Sequence, residues 1–101
     1  INNGKLKLEQ LVKFLCENPC KIFGIKNKGF IKESFDADFT IIDMNKVTEI
    51  KNENIQSKCG WSPFNGFKFK GTPVATIVNG DIKMKNGELI GDPKGKPIVF
   101  N

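Results

Sequence analysis

Three carboxylates, Asp36, Asp38 and Asp43, fall within eight residues of the stretch SFDADFTIID. Acids this close could share a proton for general acid–base catalysis or hold a hard cation. Asp36 and Asp38 alternate, so an extended chain places both on one side. A calcium loop needs further oxygen ligands at regular spacing, and none follow. Aspartate is also common where a turn feeds a strand, because its side chain accepts hydrogen bonds from nearby backbone N–H groups. An apolar run at residues 39–42 follows directly. The acids are therefore read as the entrance and exit of a strand, not as a site.

The remaining reactive residues lead to no chemistry either. Cys16, Cys20 and Cys59 are the only cysteines, and there is no histidine. Cys16 and Cys20 form a C-x3-C rather than the usual C-x2-C, and a zinc site needs four suitable ligands. A cysteine nucleophile would lack its usual histidine base. All three are read as small apolar residues, buried or half-buried. Their odd number, without a dense framework, points to a reducing compartment. Lys26-Asn27-Lys28-Gly29 lacks Walker spacing and is read as a solvated turn. Gly91 and Gly95 lack the strand–loop–helix setting of a phosphate loop. Trp61, Phe64, Phe67 and Phe69 could stack bases. Packing of the rings over the sheet is the favoured reading, since no arginine accompanies them and Ser62-Pro63 imposes a turn. No catalytic, cofactor-binding or metal-ligating residue is assigned.

The 101 residues suffice for one modest domain. The net charge is +5, yet all 16 basic residues are lysine. Arginine supplies the forks that read guanine and clamp phosphate, and the lysines here are scattered. A nucleic-acid partner is not expected. Abundant Lys, Asn, Ile and Phe match the output of an AT-rich genome. No apolar run approaches a membrane span and no signal peptide opens the chain, so a soluble, cytoplasmic protein is expected. The start at Ile1 suggests processing or a segment of a longer chain.

Around the candidate residues, the elements read as follows. Leu8, Leu11, Val12, Leu15 and Cys16 lie at helical spacing on one face, predicting a helix over 8–17. Asn18-Pro19 stops it and starts a second, short helix at an angle, with Asn18 as N-cap and Gly24 as the C-terminal stop. Phe30 and Phe35 suggest short strands. Residues 38–43 alternate Phe39 and Ile41 against Thr40 and Ile42, predicting a strand buried on both faces. Residues 45–60 read as a loop with one short element near 47–50. Residues 73–78 form a strand, and Asn79-Gly80 and Asn86-Gly87 each predict a type I′ turn, giving a three-stranded meander. PIVF at 97–100 is a possible final extended piece. The order is helix, short helix, then five or six strands, an α+β arrangement. Its apolar helix face and buried strand call for burial partners.

Several stretches together resemble the dihydroorotases of the amidohydrolase superfamily. LEQLVKFLCENPCKIFGI is similar to the family's E-x-L-V…N-P-A-x-x-F-G-L segment after the last barrel strand. KGFIKESFDADFTIID resembles the K-G-x-I-x-x-G-x-D-A-D strand motif, and SKCGWSPFNGFKFKGTPVATIVNGDIKMKNGE the later turn and closing hairpin. The match covers about residues 5 to 90. Departures are Ser34 for a small residue, Cys20 for alanine and Lys7 for a helix-capping Ser or Thr. The resemblance implies a parent enzyme with a (β/α)8 barrel that reversibly cyclises N-carbamoyl-aspartate to dihydroorotate in pyrimidine synthesis. Zinc would activate the water, held by histidines, a carboxylated lysine and an aspartate upstream of this segment. Residues 1–25 would be the last helical part of the barrel and residues 26–101 the C-terminal part of a composite β-sandwich. The implied partners are the rest of the polypeptide, the small-molecule substrate in the parent, and a homo-oligomer or aspartate carbamoyltransferase. Alternatives are a non-catalytic dihydroorotase-like subunit, a hydantoinase or allantoinase, and an independent basic binding module.

Overall fold

The computed structural model describes all 101 residues. Residues 8–22 form one helical arm: α1 (Leu8–Val12), a π-helical turn (Lys13–Glu17) and α2 (Asn18–Ile22). Lys7 precedes it in extended conformation, and its N–H donates to Gln10 Oε1 at 2.9 Å. Glu9 in the first turn complements the helix dipole. The expected break at Asn18-Pro19 does not occur. Asn18 is helical (φ −63°, ψ −45°), and its N–H reaches back five residues to the Lys13 carbonyl. Pro19 has no N–H, and its ring would strike the carbonyl four residues earlier in an α-helix. A locally widened π turn lets the helix pass the proline, so Asn18 is not an N-cap.

Gly24 ends the arm as expected. Its φ of +63° and the bond from Ile25 N–H to the Cys20 carbonyl (2.9 Å) form a Schellman stop. The tail then returns to this corner. Lys26 N–H donates to the Val99 carbonyl and Asn101 N–H to the Gly24 carbonyl, making an antiparallel bridge between Ile25 and Phe100. The final PIVF piece is thus extended and paired.

Four antiparallel strands make one sheet in the order β1 (Phe39–Glu49), β2 (Lys68–Val78), β3 (Asp81–Lys85), β4 (Glu88–Leu89). Phe39 faces Ile77 and Ile41 faces Ala75, so these four share one side. The register slips between Ile41 and Ile42 and again between Asp43 and Val47. Both β1 and β2 are longer than the sequence pattern predicts. Asp43 is not the exit of β1: its Oδ1 accepts the N–H groups of Asn45 and Lys46 inside a bulge, and the strand resumes to Glu49. That polar bulge hides the continuity of the strand from a period-2 reading. Thr48 and Thr72 hydroxyls meet across β1 and β2 at 2.7 Å. Phe30 and Phe35 lie in turns, not strands, so the sheet holds four strands rather than five or six. Both Asn-Gly pairs take left-handed φ (49° and 84°; 50° and 85°), confirming the type I′ turns.

Burial departs most from expectation. No residue of the chain is buried. The arm closely approaches no strand of the sheet. The radius of gyration is 15.3 Å, against about 13 Å for a compact domain of this length. Exposed area is 8199 Å², against about 5,700 Å² for a compact monomer of this mass. Strand β1, expected to be covered on both faces, leaves Ile41 half exposed. Cys16 and Cys59 are exposed as well, and only Cys20 is half-buried. The elements form by local pattern and strand pairing, while the layers that would cover them are not supplied by these residues.

Candidate functional site

The three acids do not converge. Asp43 sits in the β1 bulge, whereas Asp36 and Asp38 meet Lys28. Lys28 Nζ lies 2.9 Å from Asp36 Oδ2 and also bonds Asp38 Oδ2. The other Asp38 oxygen accepts the Asn79 N–H at 2.8 Å. Next to it, the Ala37 carbonyl accepts the Gly80 N–H at 3.0 Å, and Asp36 N–H donates to the Asn27 carbonyl. The Asn79 side chain donates in turn to the Lys94 carbonyl at 2.6 Å. Lys94 Nζ stands 3.4 Å from Asp81 on the far side of the turn. Loop 26–38, the β2–β3 turn and the tail are therefore joined at one knot.

Its electrostatics match a latch. The Asn79 N–H, and after it the Lys28 ammonium, hold the Asp38 carboxyl below the usual carboxylate range. The two carboxylates, Asp38 first, raise Lys28 above the usual lysine range. The Lys28 ammonium stands between the two acids, an ion-pair arrangement rather than a proton-sharing dyad. The expected role at the entrance of β1 holds for Asp36 and Asp38. The turn expected at residues 26–29 is not simply solvated: Lys28 is the cation of the knot. Gly29 packs against the helical arm, where an added Cβ would lie 2.6 Å from Cys20 Sγ and 2.7 Å from the Cys16 carbonyl oxygen. A run of alternating lysines carries no signal of its partner, and only the spacing to the D-A-D acids hints at it.

Other candidates assemble little chemistry. No three or more His, Cys, Asp or Glu side chains gather where they could hold a metal ion. The exposed Cys59 thiol lies 3.0 Å from the Ser57 hydroxyl, which lowers its pKa, yet no base stands beside it. Phe64, Phe67 and Phe69 form a ring triad with centroids 5.9–6.2 Å apart. The rings pack on one another at the far end of β1 and β2 but stay about half exposed, as does Trp61. The rings line neither of the two main grooves, which are open, run past Thr48, Glu49 and the Asn86-Gly87 turn, and are lined mostly by polar residues.

Comparison with known proteins gives this frame a context. The Amidohydrolase family model matches residues 2–83. A dihydroorotase of Pyrococcus furiosus is 44% identical over 99 residues, covering 98% of this chain and 24% of that protein. A dihydroorotase of Pyrococcus abyssi is 46% identical with the same coverage. An L-hydantoinase of Paenarthrobacter aurescens is 38% identical over 91 residues, 89% of this chain and 20% of its own length. Among solved structures, the L-hydantoinase (dihydropyrimidinase) from Arthrobacter aurescens superposes with a TM-score of 0.84 at 37% identity, over 90% of this chain and 20% of that one. A D-hydantoinase gives 0.85 at 29% identity, over 94% and 21%. The chain thus spans about a quarter of the length of the curated relatives it matches. Its α+β elements recur within larger amidohydrolases, and the resemblance read from the N-P…F-G and D-A-D stretches is borne out. The chain belongs to the amidohydrolase family.

Proposed function

We propose that this chain is the C-terminal portion of a dihydroorotase-like enzyme that reversibly hydrolyses dihydroorotate to N-carbamoyl-aspartate in pyrimidine biosynthesis. The segment itself is structural. One observation carries the reading: a chain with no buried residue matches, over 98% of its own length, 24% of a dihydroorotase at 44% identity. In this reading residues 1–25 close the barrel and residues 26–101 complete a composite β-sandwich. The Asp36–Lys28–Asp38 knot then fixes the loop that joins the two.

Zinc belongs to the parent enzyme in this proposal, with ligands upstream. The residues here do not fit the ion: there is no histidine, no cluster of three donors, and Asp36 and Asp38 are held by Lys28. No step of the hydrolysis is assigned to this segment. The partners proposed are the barrel and N-terminal sandwich strands of the same polypeptide, and a second copy or an aspartate carbamoyltransferase. The proposed location is the cytoplasm. No helix is long and apolar enough to cross a membrane.

A hydantoinase is the second reading, favoured by the superpositions on L- and D-hydantoinases. The full-length gene product discriminates the two. Bound zinc with turnover of dihydroorotate is the expected result. Turnover of hydantoins alone favours the second reading, and absence of both metal and turnover defeats the enzyme assignment.

A further inference from the structure

The two Asn-Gly turns share one backbone geometry but differ in what holds them. At Asn79-Gly80 every group needed for side-chain cyclisation is engaged. Gly80 N–H donates to the Ala37 carbonyl at 3.0 Å, the Asn79 amide donates to the Lys94 carbonyl at 2.6 Å, and Asn79 N–H is held by Asp38. At Asn86-Gly87 the Asn86 N–H donates to the Val74 carbonyl, and within these 101 residues no hydrogen bond engages its side-chain amide. Gly87 N–H meets only the Met84 thioether at 3.4 Å, a weak acceptor. Within these 101 residues the turn is exposed and leads into β4, a strand of two exposed residues paired on one side only. Such short edge pairings open most readily.

We propose that Asn86 is a site of spontaneous deamidation and that Asn79 is protected from it by the knot. The Gly87 nitrogen, having given its proton to solvent base, attacks the Asn86 side-chain carbonyl carbon. A C–N bond forms, the bond to the amide nitrogen breaks, and ammonia leaves. One water then opens either C–N bond of the cyclic imide, giving aspartate or isoaspartate. Either product places a new carboxylate two residues before Glu88. Isoaspartate also lengthens the backbone of a two-residue turn whose register depends on its length.

The test uses the full-length gene product, aged in mildly alkaline buffer and mapped by peptide mass spectrometry. Conversion at Asn86 is expected to run about tenfold or more ahead of Asn79, since the latter must first break several hydrogen bonds. Asp38→Ala is expected to raise the Asn79 rate and leave the Asn86 rate unchanged. Equal rates in the native protein would overturn the proposal. So would an unmodified Asn86 under conditions that convert a linear peptide spanning residues 84–89, or an Asn79 rate indifferent to Asp38→Ala.

Discussion

The Asp38 carboxylate accepts the backbone N–H of Asn79 across 41 residues of sequence, at 2.8 Å. Its second oxygen is held by Lys28, so one side chain joins the entrance of β1 to the β2–β3 turn. Asp38→Ala removes both bonds. A partly exposed ion pair contributes little, whereas a charged acceptor on a backbone N–H contributes more, so a local cost of about 1–2 kcal/mol is expected. Hydrogen exchange at Asn79 and Gly80 in the full-length protein should accelerate roughly tenfold. Asp38→Asn keeps an acceptor but loses the charge, and should fall between the two. Unchanged exchange in Asp38→Ala would remove the knot from the account.

The same knot dictates a pH dependence with two limbs. Asp38 is depressed below its ordinary value, chiefly by the Asn79 N–H. Its contribution is therefore complete above the unfolded pKa of about 3.9 and is lost as pH falls through the lower folded value. Lys28 is raised, chiefly by Asp38. Its contribution is complete below the unfolded value of about 10.4 and is lost as pH rises through the higher folded one. Amide exchange of Asn79, corrected for its intrinsic rate, should be flat between those limits. Asp38→Asn should abolish the acid limb; an identical acid limb in that variant would place its origin elsewhere.

Local rules carried the sequence reading where one short segment decides its own conformation. The Gly24 stop, both Asn-Gly turns and the helical spacing of Leu8, Leu11, Val12 and Leu15 are of that kind. Features that two segments decide together are hidden from either segment's own pattern. Pro19 passes within a helix because a π turn absorbs it, and β1 continues past Asp43 because the bulge satisfies its own N–H groups. Lys28 was legible as a charge but not as the partner of Asp36 and Asp38, since the loop 29–35 sets that approach. Burial was the least legible property. Alternating apolar residues such as Phe39 and Ile41 report that a strand is built to be covered, not that the cover lies in the same 101 residues.

Gly29 and Gly24 both take left-handed φ, yet their substitution should differ in cost. Gly24→Ala meets only ordinary contact with Asn101 at 3.5 Å, leaving a strain of about 1 kcal/mol. Gly29→Ala carries the same strain (φ +85°) and also drives a methyl group into Cys20 Sγ and the Cys16 carbonyl. A cost of about 2–4 kcal/mol is expected, because a backbone carbonyl cannot swing aside. Adding Cys20→Ala removes the sulfur contact but not the carbonyl, so rescue should be partial. Thermal unfolding of the full-length variants gives the ranking; equal losses at the two glycines would contradict the close approach of loop and helix.

Leu15, Ile22 and Phe23 on the helical arm are each exposed by more than 60%, and the ring triad Phe64, Phe67 and Phe69 is half exposed. Large apolar side chains left open on this scale mark an interface or an aggregation liability. The exposed area exceeds that of a compact monomer by about 2,500 Å², the range buried by permanent interfaces. Residues 1–101 expressed alone are therefore expected to bind a hydrophobic dye, to associate with rising concentration, and to unfold over a broad range of urea. Leu15→Lys with Phe23→Lys should reduce the dye signal and the association without lowering stability of the isolated segment by more than about 1 kcal/mol, since these side chains have little burial to lose. In the full-length protein the same pair should be severely destabilising, because each lysine would then enter a covered face. A monomeric, steeply cooperative transition for the isolated segment would show that it needs no cover, and its structural role in a larger enzyme would have to be abandoned.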